Sequence, residues 1–405
     1  MTKKILLILG GLILFFIYLS TSAGRTPYDY YLRLADALLH GRYWLTSPPS
    51  WLSELVPSGS RFYTVFPPMP AILALPFVLL FGQGFQQQWL AHILGVGVAL
   101  FTALSAYRLS KNSLIALWVF LFASLGTINW YLSATGSVWY LGQITAEFFI
   151  SAAIFESLTK KRVWLVGILI GAAYWSRLQT ILSLPFFIIL LRDQLFPWLK
   201  NSKSISKLFS RASISGVFLG SNKLYQLLAG VGAFIILNGL YNFIRYQSFF
   251  DIGYLKIPGL LQEPWYSKGL FNLAYVPEHL KVLFSAMPKL SLEFPFIQPS
   301  WGGLAIWITT PGFIYLLRSN LREIAVKASF LAILLIGLVD FSHGGTGWTQ
   351  FGYRYAVDFY PFLMFLTIKG VGKKLAWHHW LLLFLGIIVN LWGVLWINKF
   401  GWVGW

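Results

Sequence analysis

The chain has no cysteine, which excludes structural disulfides and thiolate chemistry. Charge is also scarce: only 11% of the 405 residues are charged, where a soluble protein carries roughly 25%. Acidic residues are fewest, 13 Asp and Glu against 31 Lys and Arg, for a net charge of +18. There is no His-Glu-x-x-His pair, no Walker-type loop and no Gly-x-Ser-x-Gly elbow. A nucleotide-driven reaction is therefore not expected. The absence of an internal repeat argues against an inverted-repeat transporter.

What the chain has instead is apolar sequence, with a mean hydropathy of +0.66. A helical span needs about 20 mostly apolar residues. Runs of that kind lie near 4–20, 66–82, 88–107, 113–131, 141–157, 163–176, 178–191, 226–245, 302–318, 326–341, 358–369 and 378–397. None alternates in polarity as a barrel strand would. The reading is an all-α polytopic membrane protein of about 11–13 spans, a single domain over 1–405. The first run follows Lys3 and Lys4 and resembles a signal peptide, but it is long, and we read it as a retained span.

The positive charge sits in short loops between the runs, as the positive-inside rule requires. Nucleic acid is not an expected partner, because no soluble domain is available to bind it. The basic loop 192–225, together with Lys160 to Arg162, Arg318 to Lys327 and Lys369 to Lys374, is assigned to the cytoplasm. Loops 21–65, 246–301 and 342–357 then lie outside, and 21–65 and 246–301 should carry amphipathic helices at the membrane surface. Arg108 and Lys111 also ask for the cytoplasmic side, so 66–82 and 88–107 cannot both be complete spans. Pro67, Pro68, Pro70 and Pro76 make 66–82 the one expected to be short or re-entrant.

Two islands between the runs concentrate charge, aromatics and proline, where an inert anchor would need none. Over 28–41 the spacing predicts a helix, with Tyr31, Leu34, Leu38 and Leu39 on one face and Asp29, Arg33 and Asp36 on another, stopped by Gly41. Asp29 and Asp36 would stand about 10 Å apart, too far to act on one bond. One is a candidate base, and the other positions a group or binds a cation; the alternative is two solvated acids. Arg61, ahead of Pro67 and Pro68, can hold a phosphate or simply snorkel. Arg177 has no acid beside it in sequence and suits a lipid-linked phosphate, or is an ordinary loop arginine. Glu147 is a sugar or cation contact, or a neutral core acid. Arg354 and Asp358, four apart, can pair as a structural clamp. Trp348 and Tyr353 can stack on a sugar or a prenyl chain, with His343 nearby.

These islands resemble the polytopic glycosyltransferases of the GT-C fold, and more narrowly the family 39 mannosyltransferase-like group. The matching segments are Asp29 to Gly41, Phe66-Pro67-Pro68, Tyr241 to Tyr246 and Phe351 to Tyr355. The family's paired Asp-Glu is a single Asp29 here, and the lysine of its Lys-Pro-Pro is Phe66. The resemblance implies sugar transfer on the outer, periplasmic side of a bacterial inner membrane. The donor would be a polyprenyl-phosphate sugar and the acceptor a glycan, lipid or protein. It implies Asp36 or Asp29 as base, the former favoured by its Ala-Asp-Ala context. Arg61, Arg177 and Arg354 would hold the phosphate, and Tyr30, Tyr63, Glu147, Trp348, Tyr353, Tyr355, Asp358 and His343 would bind sugar or acceptor. No protein-bound metal is assigned, and a need for a divalent cation is left open. The competing classes are a lipid or glycan flippase, and a non-catalytic partner in envelope assembly.

Overall fold

The computed structural model describes residues 3–197 and 222–404. Most of the basic loop, 198–221, lies outside the described residues. Helix α1 (Lys3–Thr21) leads to α2 (Tyr30–Leu39) and a hairpin of β1 (Leu55–Ser58) and β2 (Arg61–Thr64). Then come α3 (Met69–Phe81), α4 (Gln87–Ser110), α5 (Ser113–Leu125), α6 (Asn129–Thr135), α7 (Val138–Leu158), α8 (Val163–Tyr174), α9 (Leu184–Leu190) and the single turn α10 (Arg192–Leu195). After the undescribed segment follow α11 (Asn222–Tyr246), α12 (Val276–Ser285), the turn α13 (Ile306–Thr309), α14 (Ile324–Ser342), α15 (Tyr360–Val371) and α16 (Trp377–Leu395).

Not every apolar run became a continuous span. Among the described residues five helices are long and apolar enough to cross a bilayer: α4, α7, α11, α14 and the stretch Trp377–Phe400. Helices α5 and α6 make a sixth only if their 55° bend is counted as one broken span. The bend falls at Gly126, and the side chains of Thr127 and Asn129 bond the Ala123 carbonyl that the break frees. Helix α3 has 13 residues, about 20 Å against a hydrocarbon core of roughly 30 Å, so the proline-rich run is the short one. The expected span at 302–318 is corrected: it is the turn α13 followed by a 3-10 stretch, Pro311–Arg318. Pro311 lacks an N–H and drives Thr310 out of the helical region, to φ −143°.

Glycine permits a close helix contact. Helices α8 and α11 cross where Gly167 faces the Leu227 carbonyl and Gly230 faces the Gly167 backbone. A Cβ on Gly230 would lie 2.8 Å from that backbone. Small residues allow this approach where lipid supplies no hydrophobic drive. The opposite side of α11 presents Ile235, Ile236 and Leu240 outward, as a lipid-facing helix must.

The first loop is folded inward rather than laid on the surface. Six of the ten residues of α2 are buried, and Gly41 ends it with φ +69°. Asp29 precedes the helix but gives no side-chain cap. Gln87 of α4 does that work from outside: its Oε1 accepts from the N–H of Tyr31 at 3.1 Å, and its Nε2 donates to the carbonyls of Tyr28 and Gly136. The hairpin is tied down by Arg245 at the end of α11, which donates to the Thr64 carbonyl and to Asn242 Oδ1. Its guanidinium lies between the rings of Tyr241 and Tyr246, at 3.8 and 4.5 Å.

Candidate active site

Helices α7, α8 and α14, the loops ahead of β1 and after α11, and the 3-10 stretch Arg354–Phe359 converge on one polar cluster. Its most informative member is Glu54, which precedes β1. Glu54 is partly buried. It accepts from Trp139 Nε1 at 2.9 Å on one oxygen and from the Tyr254 hydroxyl at 2.9 Å on the other. Its backbone N–H donates to the Tyr30 hydroxyl. Burial pushes its carboxyl above the ordinary range, while those two donors and the charge of Arg354 pull the other way. No cation lies within ion-pair distance of it among the described residues.

The second group is an arginine held by two acids. The chain leaves α8 at Tyr174 and turns extended at Arg177, which drops that side chain into the interior. Arg177 Nη2 lies 2.6 Å from Asp358 Oδ2, and Nε donates to the same carboxylate at 3.1 Å. Asp340, in the last turn of α14, is 3.8 Å away. Gln179 Nε2 donates to Asp340 at 2.8 Å and to Asp358 at 2.6 Å. The local sum is two carboxylates against one guanidinium. This corrects the expected Arg354–Asp358 pair: Asp358 is taken by Arg177, 181 positions away in sequence.

Among the described residues Arg354 is thereby left without an acid. It is 6% exposed, its guanidinium sits 4.9 Å over the Tyr355 ring and 5.9 Å from Trp139, and its Nε has no hydrogen-bond partner. A buried guanidinium without a counter-ion is costly and marks a place for an anion. Beside it, the Tyr355 hydroxyl reaches His343 Nδ1 at 3.4 Å, and Tyr353 bonds His279 at 2.6 Å. Burial pushes the His343 imidazole down to about 4, and the charges of Arg354 and Arg177 act in the same direction.

The other expected residues scatter. Tyr30 lines the cluster through Glu54. Asp29 is buried 2.6 Å from Arg33, with Arg25 at 3.8 Å. Asp36 is partly exposed and lies 3.8 Å from His40. Arg61 is exposed at the hairpin turn, 4.3 Å over the Trp44 ring, and Tyr63 stacks on Tyr43 in the same aromatic group. Trp348 is 57% exposed and stacks near Trp265. Glu147 is buried within α7 and accepts from Asn129 at 2.9 Å. Glu54 was missed in sequence, because Leu52-Ser53-Glu54-Leu55 carries no motif. Among the described residues no three His, Asp or Glu converge as metal ligands.

The fold is similar to that of ArnT from Cupriavidus metallidurans, solved bound to undecaprenyl phosphate. The TM-score is 0.53 at 12% identity, over 95% of this chain and 63% of that one. The archaeal oligosaccharyltransferase AglB from Archaeoglobus fulgidus, solved with an inhibitory peptide and a dolichol-phosphate, gives a TM-score of 0.48 at 14% identity, over 98% of this chain and 56% of that one. The chain thus spans less than two thirds of the length of either. No family model matches it, and no curated protein matches it in sequence. The fold is of the GT-C type, and the chain is an integral membrane protein.

Proposed function

We propose that this protein transfers a sugar from a polyprenyl-phosphate donor to a hydroxyl-bearing glycan, lipid or protein, at the outer face of a bacterial inner membrane and with inversion. The observation that carries the reading is Arg354, a buried guanidinium without an acid partner among the described residues, in a cluster that also holds the carboxylate Glu54. A lipid phosphate supplies the missing anion, and the GT-C-type fold supports such a donor. In the displacement, the acceptor oxygen bonds to the anomeric carbon as the bond to the phosphate oxygen breaks. The electron pair leaves with the lipid phosphate, whose charge Arg354 stabilises. A carboxylate takes the acceptor's proton, and Asp29 or Asp36 is the candidate. The reading gives the phosphate to Arg354 before Arg177 and Arg61, because Asp358 already answers Arg177 and Arg61 lies over Trp44.

The test is sugar transfer by the purified protein in detergent from a panel of polyprenyl-phosphate sugars, with Arg354→Ala, Asp29→Asn and Asp36→Asn alongside. Arg354→Ala should weaken lipid-phosphate binding roughly 10- to 100-fold, the loss of one hydrogen-bonded charge. One of the two Asp variants should lose turnover with donor binding retained. If no donor is turned over, or if all three variants match the wild type, the reading fails and flux assays in liposomes take its place.

A further inference from the structure

We infer that Glu54, oriented by Trp139 and Tyr254, is the sugar-recognition residue of this site and takes two neighbouring hydroxyls of one sugar ring. This rests on the glycosyltransfer reading and deepens it.

The geometry supplies three supports. First, the carboxylate is fixed from outside itself: one neutral donor on each oxygen, Trp139 Nε1 and the Tyr254 hydroxyl, both at 2.9 Å. An ionised carboxylate has about four acceptor sites, so each oxygen keeps one free, and the pair presents two acceptors side by side. Vicinal hydroxyls of a pyranose or furanose present two donors in the same way. Second, among the described residues no Lys, Arg or His stands within ion-pair distance of Glu54. A partly buried acid that is hydrogen-bonded yet not neutralised by a salt bridge is suited to bind a neutral polar group. Third, the Arg354 guanidinium lies 5.9 Å from the ring of Trp139, the residue whose Nε1 donates to Glu54, so the two charges flank one aromatic side chain. A ligand that meets both carries an anion at one end and hydroxyls at the other, which describes a sugar joined to a phosphate.

Trp139 and Tyr254 are then positioning residues. They come from the first turn of α7 and from the loop after α11, while Glu54 comes from the loop before β1. Three separate parts of the chain therefore fix one carboxylate, which is what a recognition group needs if a misplacement of about 1 Å costs as much as 100-fold.

The experiment is a cycle between protein and donor. Wild type, Glu54→Gln and Trp139→Phe are each assayed with the best donor sugar and with its single-deoxy analogues, and kcat and KM are separated. For the wild type, removal of either recognised hydroxyl should lower kcat/KM about 10- to 100-fold, the worth of a hydrogen bond to a charged group. In Glu54→Gln the intact and deoxy donors should differ by clearly less than in wild type, under about tenfold, because Gln keeps one neutral acceptor oxygen but loses the charge and the second acceptor. Trp139→Phe should fall between, with the same two hydroxyls affected. The inference is overturned if the deoxy donors lose equally in wild type and Glu54→Gln, or if no ring hydroxyl matters to the wild type. It is overturned too if Glu54→Gln abolishes kcat at unchanged KM and removes the acidic limb of the pH profile, since that outcome makes Glu54 the proton acceptor. Should Glu54→Gln fail to fold, the wild-type and Trp139→Phe series decide. Absence of transfer from every donor by the wild type is a distinct result and sinks the functional reading itself.

Discussion

Replacing Asp358 by Asn should cost far more than replacing Asp340 by Asn, although both are buried acids beside the same arginine. Asp358 receives three donors, Arg177 Nε and Nη2 and Gln179 Nε2, the two closest at 2.6 Å. Asn at that position keeps one acceptor oxygen and turns an amide group toward donors. Breaking a buried ion pair costs about 3–5 kcal/mol. Two features reduce that here: the Arg177 side chain is 23% exposed, and Asp340 stands 3.8 Å away. The expected loss is about 2–3 kcal/mol. Asp340 has one bond, from Gln179 at 2.8 Å, and shares its surroundings with a like charge. Its neutralisation removes repulsion as well as attraction, so the expected change is within about 1 kcal/mol. Thermal melting of the purified variants in one detergent measures the order. If Asp340→Asn melts at or below Asp358→Asn, the assignment of Asp358 as the principal counter-ion of Arg177 is wrong.

Gly230→Ala places a Cβ 2.8 Å from the Gly167 backbone, and forced separation of α8 from α11 should cost about 1–3 kcal/mol in the same melting assay, whereas Gly232→Ala, with open space at its Cβ, should melt as wild type. Arg245→Lys keeps the charge but loses the planar fork that reaches Thr64 and Asn242; a loss of about 2 kcal/mol is expected, together with faster proteolysis between β2 and α3. His343 takes a proton near 6.5 when unfolded but only near 4 when folded. The unfolded chain thus binds more protons between those values, so this contribution is whole above pH 6.5 and is lost as pH falls toward 4. His343→Gln should flatten the dependence of melting temperature on pH in that window.

Much of the architecture was legible because lipid imposes a simple rule on sequence: long apolar runs with charge between them. The starts of α4 and α16, the end of α11 and the shortness of α3 followed from this, and Gly41 marked the end of α2. The failures have local causes. The run at 302–318 is apolar enough to span, but hydropathy does not weigh the single missing N–H of Pro311. The site was harder, because pairing in a helical bundle ignores sequence distance. Arg354 and Asp358 have the spacing of a helical pair, yet the segment is a 3-10 turn, where residues four apart do not stack, and Arg177 arrives from another element. Glu54 had no neighbour to announce it; only Trp139 and Tyr254, 85 and 200 positions away, reveal that it is held in place.

The bond between Arg177 and Asp358 also bears on how the chain is made. At about 5–20 residues per second, the 181 positions between them take roughly 10–40 s to translate. For that interval an arginine has been delivered beside the bilayer while its counter-ion does not yet exist. Asp340 precedes Asp358 by only 18 positions, so it brings little relief. The nascent protein must therefore keep Arg177 hydrated, or shelter it within the insertion machinery, until Asp358 emerges. A ribosome stalled before Asp340 would leave that charge with neither of the two acids that flank it in the folded chain.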